Sequence, residues 1–336
     1  MEWVRGKTIG HGSFATISLA QSITHNSNLP PLMAVKSCGV SHSASLIHEK
    51  LILAELNACP EIIHCFGDSF TVENGVKIYN VALEYASGGD LASNLKNSGN
   101  FSSSEVRRYT NSILKGLQFI HRNGFVHCDI KLQNILLVSD DSNADVKIAD
   151  FGLAKKAAGE LKSKYEIRGT PMYMAPETVV KGEQEPPSDI WALGCLVVEM
   201  ITGNLAWPCS DIAALLLKIG VGTEIPEIPA KLSSEGKDFL GKCFLKDPTK
   251  RWTAEMLLDH PFVSKEKVED QTPSISPRDP FDFLDWESAE SFVMTELPSP
   301  GLSHVSPSIS PATRLRRLTG DERPNWNYSS RWVAIR

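Results

Sequence analysis

The sequence of 336 residues contains no uninterrupted apolar run of about 18 residues, the length that a helix needs to cross a bilayer. No membrane association is expected. The most apolar stretch, residues 190–201, is short and carries Glu199, so it reads as a buried helix. A basic excess is also missing: 34 Lys and Arg stand against 40 Asp and Glu, a formal net charge of −6. Neutralising phosphates over a nucleic-acid surface needs the opposite balance, so nucleic acid is not an expected partner. The opening residues, Met1-Glu2-Trp3-Val4-Arg5-Gly6-Lys7, hold no apolar core of a secretory leader. The seven cysteines form no C-x-x-C pair and no metal-ligand spacing. Reduced thiols in a cytoplasmic or nuclear protein are the expectation. There is no internal repeat and no heptad run. What remains, 42% hydrophobic and 22% charged residues, suits a soluble chain with a substantial core.

Composition changes near residue 270. Between 271 and 336 there are 8 Pro and 11 Ser, with Ser/Thr-Pro dipeptides at Thr272, Ser276, Ser299, Ser306 and Ser310. No helical or strand period runs through most of this stretch. Residues 264–336 are therefore expected to be a largely disordered tail, with too little apolar surface to offset ordering entropy.

Residues 3–263 are patterned. Residues 7–20 place glycine between two β-forming ends, and 32–37 form a short apolar run. Asn74-Gly75 between 70–72 and 76–83 is a strong hairpin signal. One helix is predicted at 45–57, with Leu46, Glu49, Leu53 and Leu56 on one face. Beyond residue 85 the pattern is mostly helical. Ser102 and Glu105 form a capping box, Val106, Tyr109, Ile113, Leu117 and Ile120 form a stripe, and Gly124 suits the end. Short strands are predicted at 135–138 and 146–149, and helices at 189–202, 212–219 and 233–244. A small β-rich lobe (3–85) before a larger helical lobe (86–263) is an α+β arrangement, and the cleft between lobes is a natural ligand site.

The chemistry lies in four blocks. The first is Ile9-Gly10-His11-Gly12-Ser13-Phe14-Ala15-Thr16-Ile17. Without Cβ atoms, Gly10 and Gly12 let backbone N–H groups approach phosphate oxygens. A glycine-rich β-turn explains the block structurally, and no Gly-Lys-Ser/Thr follows as in a Walker loop. In the second, Met33-Ala34-Val35-Lys36, a lysine ends an apolar strand, where it needs a partner. Glu49 is the candidate, since an inward Lys and an inward Glu are tolerable only as a pair. A solvated Glu49 is the plain alternative, and Glu55 the rival carboxylate on another face.

The third block, His127-Cys128-Asp129-Ile130-Lys131-Leu132-Gln133-Asn134, is followed by Asp150-Phe151-Gly152. These offsets supply what phosphoryl transfer requires. Asp129 can accept or orient a hydroxyl proton, Asn134 and Asp150 can hold Mg²⁺, and Lys131 can neutralise the moving group. The fourth block is Gly169-Thr170-Pro171-Met172-Tyr173-Met174-Ala175-Pro176-Glu177, preceded by a loop holding Ser163 and Tyr165.

With these four blocks in order, the chain over 3–263 resembles the eukaryotic protein kinases. The resemblance implies their bilobal fold and an ATP- and Mg²⁺-dependent transfer to a protein. It implies that the 9–17 loop covers ATP and that Lys36 pairs with the α/β-phosphates and Glu49. Leu83 would be the gatekeeper, and Glu84 and Ala86 part of the hinge at the adenine edge. Ile17, Ala34 and Leu136 would sandwich the base, with Asp90 near the ribose. Arg251 would pair with Glu177. Lys131 and Thr170 resemble serine/threonine rather than tyrosine kinases, and Ser163 and Thr170 are candidate phosphorylation sites. More narrowly, "WVRGKTIGHGSFATI", "LEYASGGDLA", "HCDIKLQNILL" and "EIRGTPMYMAPE" resemble plant mitogen-activated protein kinase kinase kinases of the MEKK-like class, including its short abscisic-acid-responsive branch. That implies a MAP kinase kinase as substrate.

Two departures stand out. Ala15 replaces the third glycine of the loop. Cys128 replaces the usual arginine before Asp129, so a contact from that position to a loop phosphate is not available. Activity is expected to depend less on loop phosphorylation through this position. A kinase-fold scaffold without activity is the competing class, and a serine/threonine kinase outside the cascade is a third. Proline-directed kinases fit the five tail sites. The acidic-aromatic segment 279–286 and the Arg-rich segment 314–318 read either as docking elements or as solvated linker.

Overall fold

The structure is a computed structural model and describes residues 2–12, 15–23, 29–138, 146–157, 167–208 and 211–264. Ser13, Phe14, Ser163 and the tail segments fall outside the described residues.

The first lobe is a five-stranded sheet of β1 (Trp3–His11), β2 (Thr16–Ser22), β3 (Leu32–Gly39), β4 (Cys65–Glu73) and β5 (Val76–Leu83). The strand order is β1-β2-β3-β5-β4, and every neighbouring pair is antiparallel. The hairpin signal at 74–75 is realised with φ of 52° at Asn74 and 78° at Gly75. Positive φ at both central residues is the turn whose twist matches the flanking strands. Helix α1 (Ala44–Leu56) packs on this sheet through Leu46, Ile52, Leu53 and Leu56, all buried, and it buries Glu49 with them.

The second lobe opens with β6 (Gly89–Asp90) and α2 (Leu91–Ser98), then α3 (Ser103–Arg122) and β7 (Phe125–Val126). Next come β8 (Ile135–Leu137), β9 (Val146–Ile148) and β10 (Lys155–Lys156). The remaining helices are α4 (Pro176–Lys181), α5 (Pro186–Thr202), α6 (Ile212–Gly220), α7 (Ser234–Cys243), α8 (Ala254–Leu258) and α9 (Pro261–Ser264). The capping box forms as the spacing predicts: Ser102 Oγ accepts the Glu105 N–H at 3.3 Å, and Glu105 Oε2 accepts the Ser102 N–H at 2.8 Å. At the other end of α3 the cap is Asn123, one residue before the expected Gly124, which follows it at φ 76°. A left-handed residue just past the cap is where glycine relieves Cβ crowding.

Helix α5 starts three residues before its predicted start at 189, because Pro186 takes the first turn, where a missing N–H costs nothing. It is buried almost throughout and forms the axis on which the lobe packs. Helix α2 was not predicted. Only Leu91 and Leu95 are buried in its eight residues, too short a stripe to show a period. Each buried Leu or Ile along these stripes contributes roughly 1.5–3 kcal/mol.

Candidate active site

Between the lobes lies a cavity of about 810 Å³. Its roof is the β1–β2 turn, closed by the Gly12 N–H donated to Ala15 O at 2.8 Å. Ile9, Gly10, His11, Gly12, Ala15 and Ile17 line it, as do Ala34 and Lys36 of β3. Thr16, expected in the same wall, does not line it. Adjacent residues of a strand point to opposite sides, and Ile17 takes the cleft side. Leu83, Glu84, Ala86, Asp90 and Leu136 close the back and floor.

Register sets the key lysine. Lys36 lies opposite Ile17 on β2 and opposite Val81 on β5, so it is fixed in the middle of the sheet. Its Nζ sits 2.7 Å from Glu49 Oε2 and 2.9 Å from Asp150 Oδ1. Burial by itself lowers the Lys36 ammonium, but the Glu49 and Asp150 carboxylates outweigh it and hold the group raised and charged. Burial likewise opposes ionisation of Asp150; the Lys36 charge and hydrogen bond outweigh it and keep the carboxyl below its usual range. Glu55, the rival partner, is exposed on the other side of α1.

The floor is organised by a buried carboxylate. Asp189, on the first turn of α5, accepts the N–H groups of His127 at 2.9 Å and Cys128 at 3.0 Å, and meets His121 Nε2 at 2.9 Å. Burial opposes its ionisation, yet the His121 hydrogen bond and charge and the His127 contacts hold its carboxyl below the usual range. This clamp holds Cys128 at φ 66°, a left-handed conformation that costs a non-glycine residue about 1–2 kcal/mol. Asp129 then turns into the cleft. The Cys128 thiol itself is packed and pushed well up by burial, the setting of a structural thiol.

Asp129 is the hub. Its Oδ2 lies 2.7 Å from Lys131 Nζ, its Oδ1 accepts the Thr170 hydroxyl at 2.7 Å, and Asn134 Nδ2 donates to Oδ2 at 3.2 Å and to the backbone carbonyl at 2.8 Å. Lys131 also donates to Thr170 Oγ1 at 3.0 Å. Thr170 reaches this point because Gly169, at φ 103°, passes against the Cys128 carbonyl; a Cβ there would collide with it. Asp150 stands at φ 62°, and Phe151 behind it is fully buried edge-on to His127, ring centroids 4.8 Å apart.

The cleft therefore brings together Lys36, Glu49, Asp129, Lys131, Asn134 and Asp150 from four separate segments. Several contacts had no sequence signal. Asp90, expected near the ribose, also caps α2, accepting the Ser93 N–H at 2.8 Å. Glu84 spends its N–H on His64 O at 2.9 Å and its carboxylate on Lys147 at 2.8 Å. Thr170, expected as a phosphorylation site and as a serine/threonine-kinase feature beside Lys131, belongs to the hub.

The protein kinase domain family matches residues 3–263. Mitogen-activated protein kinase kinase kinase 20 of Arabidopsis thaliana is 49% identical across the whole of both chains. Mitogen-activated protein kinase kinase kinase 18 of the same plant is 38% identical over 100% of this chain and 99% of its own length. Number 17 is 40% identical over 82% of this chain and 72% of its own.

Proposed function

Because the chain belongs to the protein kinase family, and within it to the mitogen-activated protein kinase kinase kinases, we propose that its serine/threonine kinase activity acts on the activation loop of a MAP kinase kinase, in a plant stress or abscisic-acid cascade, in cytoplasm and nucleus. Lys36 held between Glu49 and Asp150, opposite Asp129, is the observation that carries the catalytic reading. The full-length similarity, continuing past residue 263, supports the cascade class.

On this reading Ile17, Ala34, Leu83 and Leu136 enclose the adenine, and the Gly10–Gly12 backbone and the Lys36 ammonium take the phosphates of ATP. Asp129 orients the substrate hydroxyl and receives its proton. Lys131 stays beside it and balances charge on the transferred group. Asn134 and Asp150 are the residues that would hold Mg²⁺. The chemistry of the donors fits: Asn134 spends its NH₂ on Asp129, leaving the amide oxygen, and the Asp150 carboxylate is 49% exposed to the cleft. When bound, the ion neutralises phosphate charge.

The test is a panel of plant MAP kinase kinases, each carrying its own inactivating lysine substitution, incubated with the protein and Mg·ATP. Phosphate on the activation-loop Ser/Thr of one or more members, mapped by mass spectrometry, is the expected result. A generic substrate phosphorylated while every panel member stays blank would place the enzyme outside the cascade.

Thr170 was a candidate phosphorylation site, and its position gives that event a sign. Its hydroxyl is 2.7 Å from the Asp129 carboxylate, so a phosphate there adds about two negative charges beside the base. Thr170→Glu is expected to lose more than about tenfold in kcat, whereas Thr170→Ser, which keeps the hydroxyl, stays near wild type. Steady-state assays with unchanged melting temperatures check this; an active Thr170→Glu variant would refute it.

A further inference from the structure

Helix α1 touches the second lobe at a place that the nucleotide reading leaves unused. His48 donates its Nε2–H to the carbonyl oxygen of Ala154 at 2.8 Å, linking residues 106 apart in sequence. Its neighbour Glu49 makes the ion pair with Lys36. Successive residues of a helix lie about 100° apart around the axis. The helix is thus fastened in two directions: to the sheet through Glu49, and to the segment following Asp150-Phe151-Gly152 through His48. That segment is itself firm, with Phe151 and Ala154 fully buried and the Ala154 N–H bonded to Phe151 O at 3.1 Å.

Leu46, Ile52, Leu53 and Leu56 hold one face of α1 against the sheet, whereas Ile47 is 38% and Leu51 55% exposed. That stripe fixes which face of the helix meets the sheet, but the 2.7 Å contact of Glu49 depends on the helix angle more steeply than apolar burial does, so a small rotation that leaves the stripe largely covered withdraws Glu49 from Lys36. We propose that His48 is a positioning residue for the phosphate-binding lysine: it ties α1 to the 150–154 segment and so keeps the Lys36–Glu49 pair assembled before nucleotide arrives. The inference rests on the nucleotide reading of the cleft.

The prediction follows from population arithmetic. Nucleotide favours molecules with the pair assembled, so apparent affinity falls by the fraction that is assembled, while saturating nucleotide draws the rest back. Loss of one hydrogen bond corresponds to roughly a two- to tenfold effect. His48→Ala is expected to bind MgADP about two- to tenfold more weakly by titration calorimetry and to raise the KM for ATP equally. At saturating ATP its kcat stays within about twofold of wild type. His48→Gln supplies an amide N–H of similar reach and is expected to restore both values. The wild-type MgADP titration tests the nucleotide reading by itself; the ratio of variant to wild type tests His48. The proposal is overturned if His48→Ala binds MgADP like wild type, or if His48→Gln is as weak as His48→Ala. It is equally overturned if kcat falls while KM stays constant, the pattern of a smaller folded fraction.

Discussion

Asp129→Asn is expected to lower kcat by about 10²–10⁴-fold, the usual weight of a positioned proton acceptor, and to leave MgADP affinity nearly unchanged. The substitution keeps the shape of the side chain and replaces one carboxylate oxygen by an NH₂ group. That group cannot accept a proton from a substrate hydroxyl. It also places a donor where Oδ2 meets Lys131 at 2.7 Å or where Oδ1 accepts the Thr170 hydroxyl at 2.7 Å. Lys36, which holds the phosphates on the proposed reading, is fixed by Glu49 and Asp150 and does not touch Asp129. The effect should therefore fall on kcat. Lys36→Met is expected to differ in kind: it removes the ammonium between two carboxylates, leaves Glu49 buried and unpaired, and weakens nucleotide binding as well. Rates measured on a MAP kinase kinase substrate, with MgADP titrations on the same preparations, separate the two. An Asp129→Asn enzyme within tenfold of wild type would remove Asp129 from the proton path and reopen the scaffold reading.

The sequence discloses those elements whose signal is local. The Asn74-Gly75 turn, the Ser102–Glu105 box and the Ile113–Leu117–Ile120 stripe each depend on residues a few positions apart, and each appears where its spacing puts it. The site residues show through for another reason: a charged side chain ending an apolar strand, or facing inward from a helix, needs a partner somewhere. Lys36 and Glu49 both announced that need, and the structure sets them 2.7 Å apart. The missing parts depend on long-range backbone contacts that leave no pattern. Nothing in 48 and 154 says that a histidine on α1 reaches a carbonyl 106 residues later. Nor does anything near Thr170 reveal that Gly169 must pass the Cys128 carbonyl for the hydroxyl to reach Asp129. Thr16 was misplaced because a block of nine residues was read as one surface, whereas strand alternation sends neighbours to opposite faces.

Breaking the ion pair of Arg251 with Glu177 is expected to be the largest single loss of stability. Arg251 donates to Glu177 Oε1 at 2.6 Å and Oε2 at 3.0 Å, a two-pronged contact that only a guanidinium makes. Its Nε–H goes to Leu245 O at 2.9 Å and a further Nη1–H to Pro187 O at 2.7 Å, and its Cζ lies 5.2 Å from the Trp191 ring centroid. The Arg251 side chain is 0% and the Glu177 side chain 6% exposed, so water reaches neither when the other is removed. Arg251→Ala or Glu177→Ala leaves an uncompensated buried charge, a loss of about 3–5 kcal/mol. For a domain of this size each kcal/mol lowers the melting temperature by about 2–4 °C, so a fall of roughly 6–20 °C is expected. Arg251→Lys should recover only part of it, since an ammonium cannot span both oxygens. Glu177 also opens α4, directly after the segment that carries Thr170 to Asp129, so activity should be lost below the melting transition as that segment loosens. The double variant supplies the decisive comparison. If the two residues act as a pair, it loses far less than the sum of the single losses. Additive losses would mean that Arg251 stabilises the lobe through Trp191 and the two carbonyls alone.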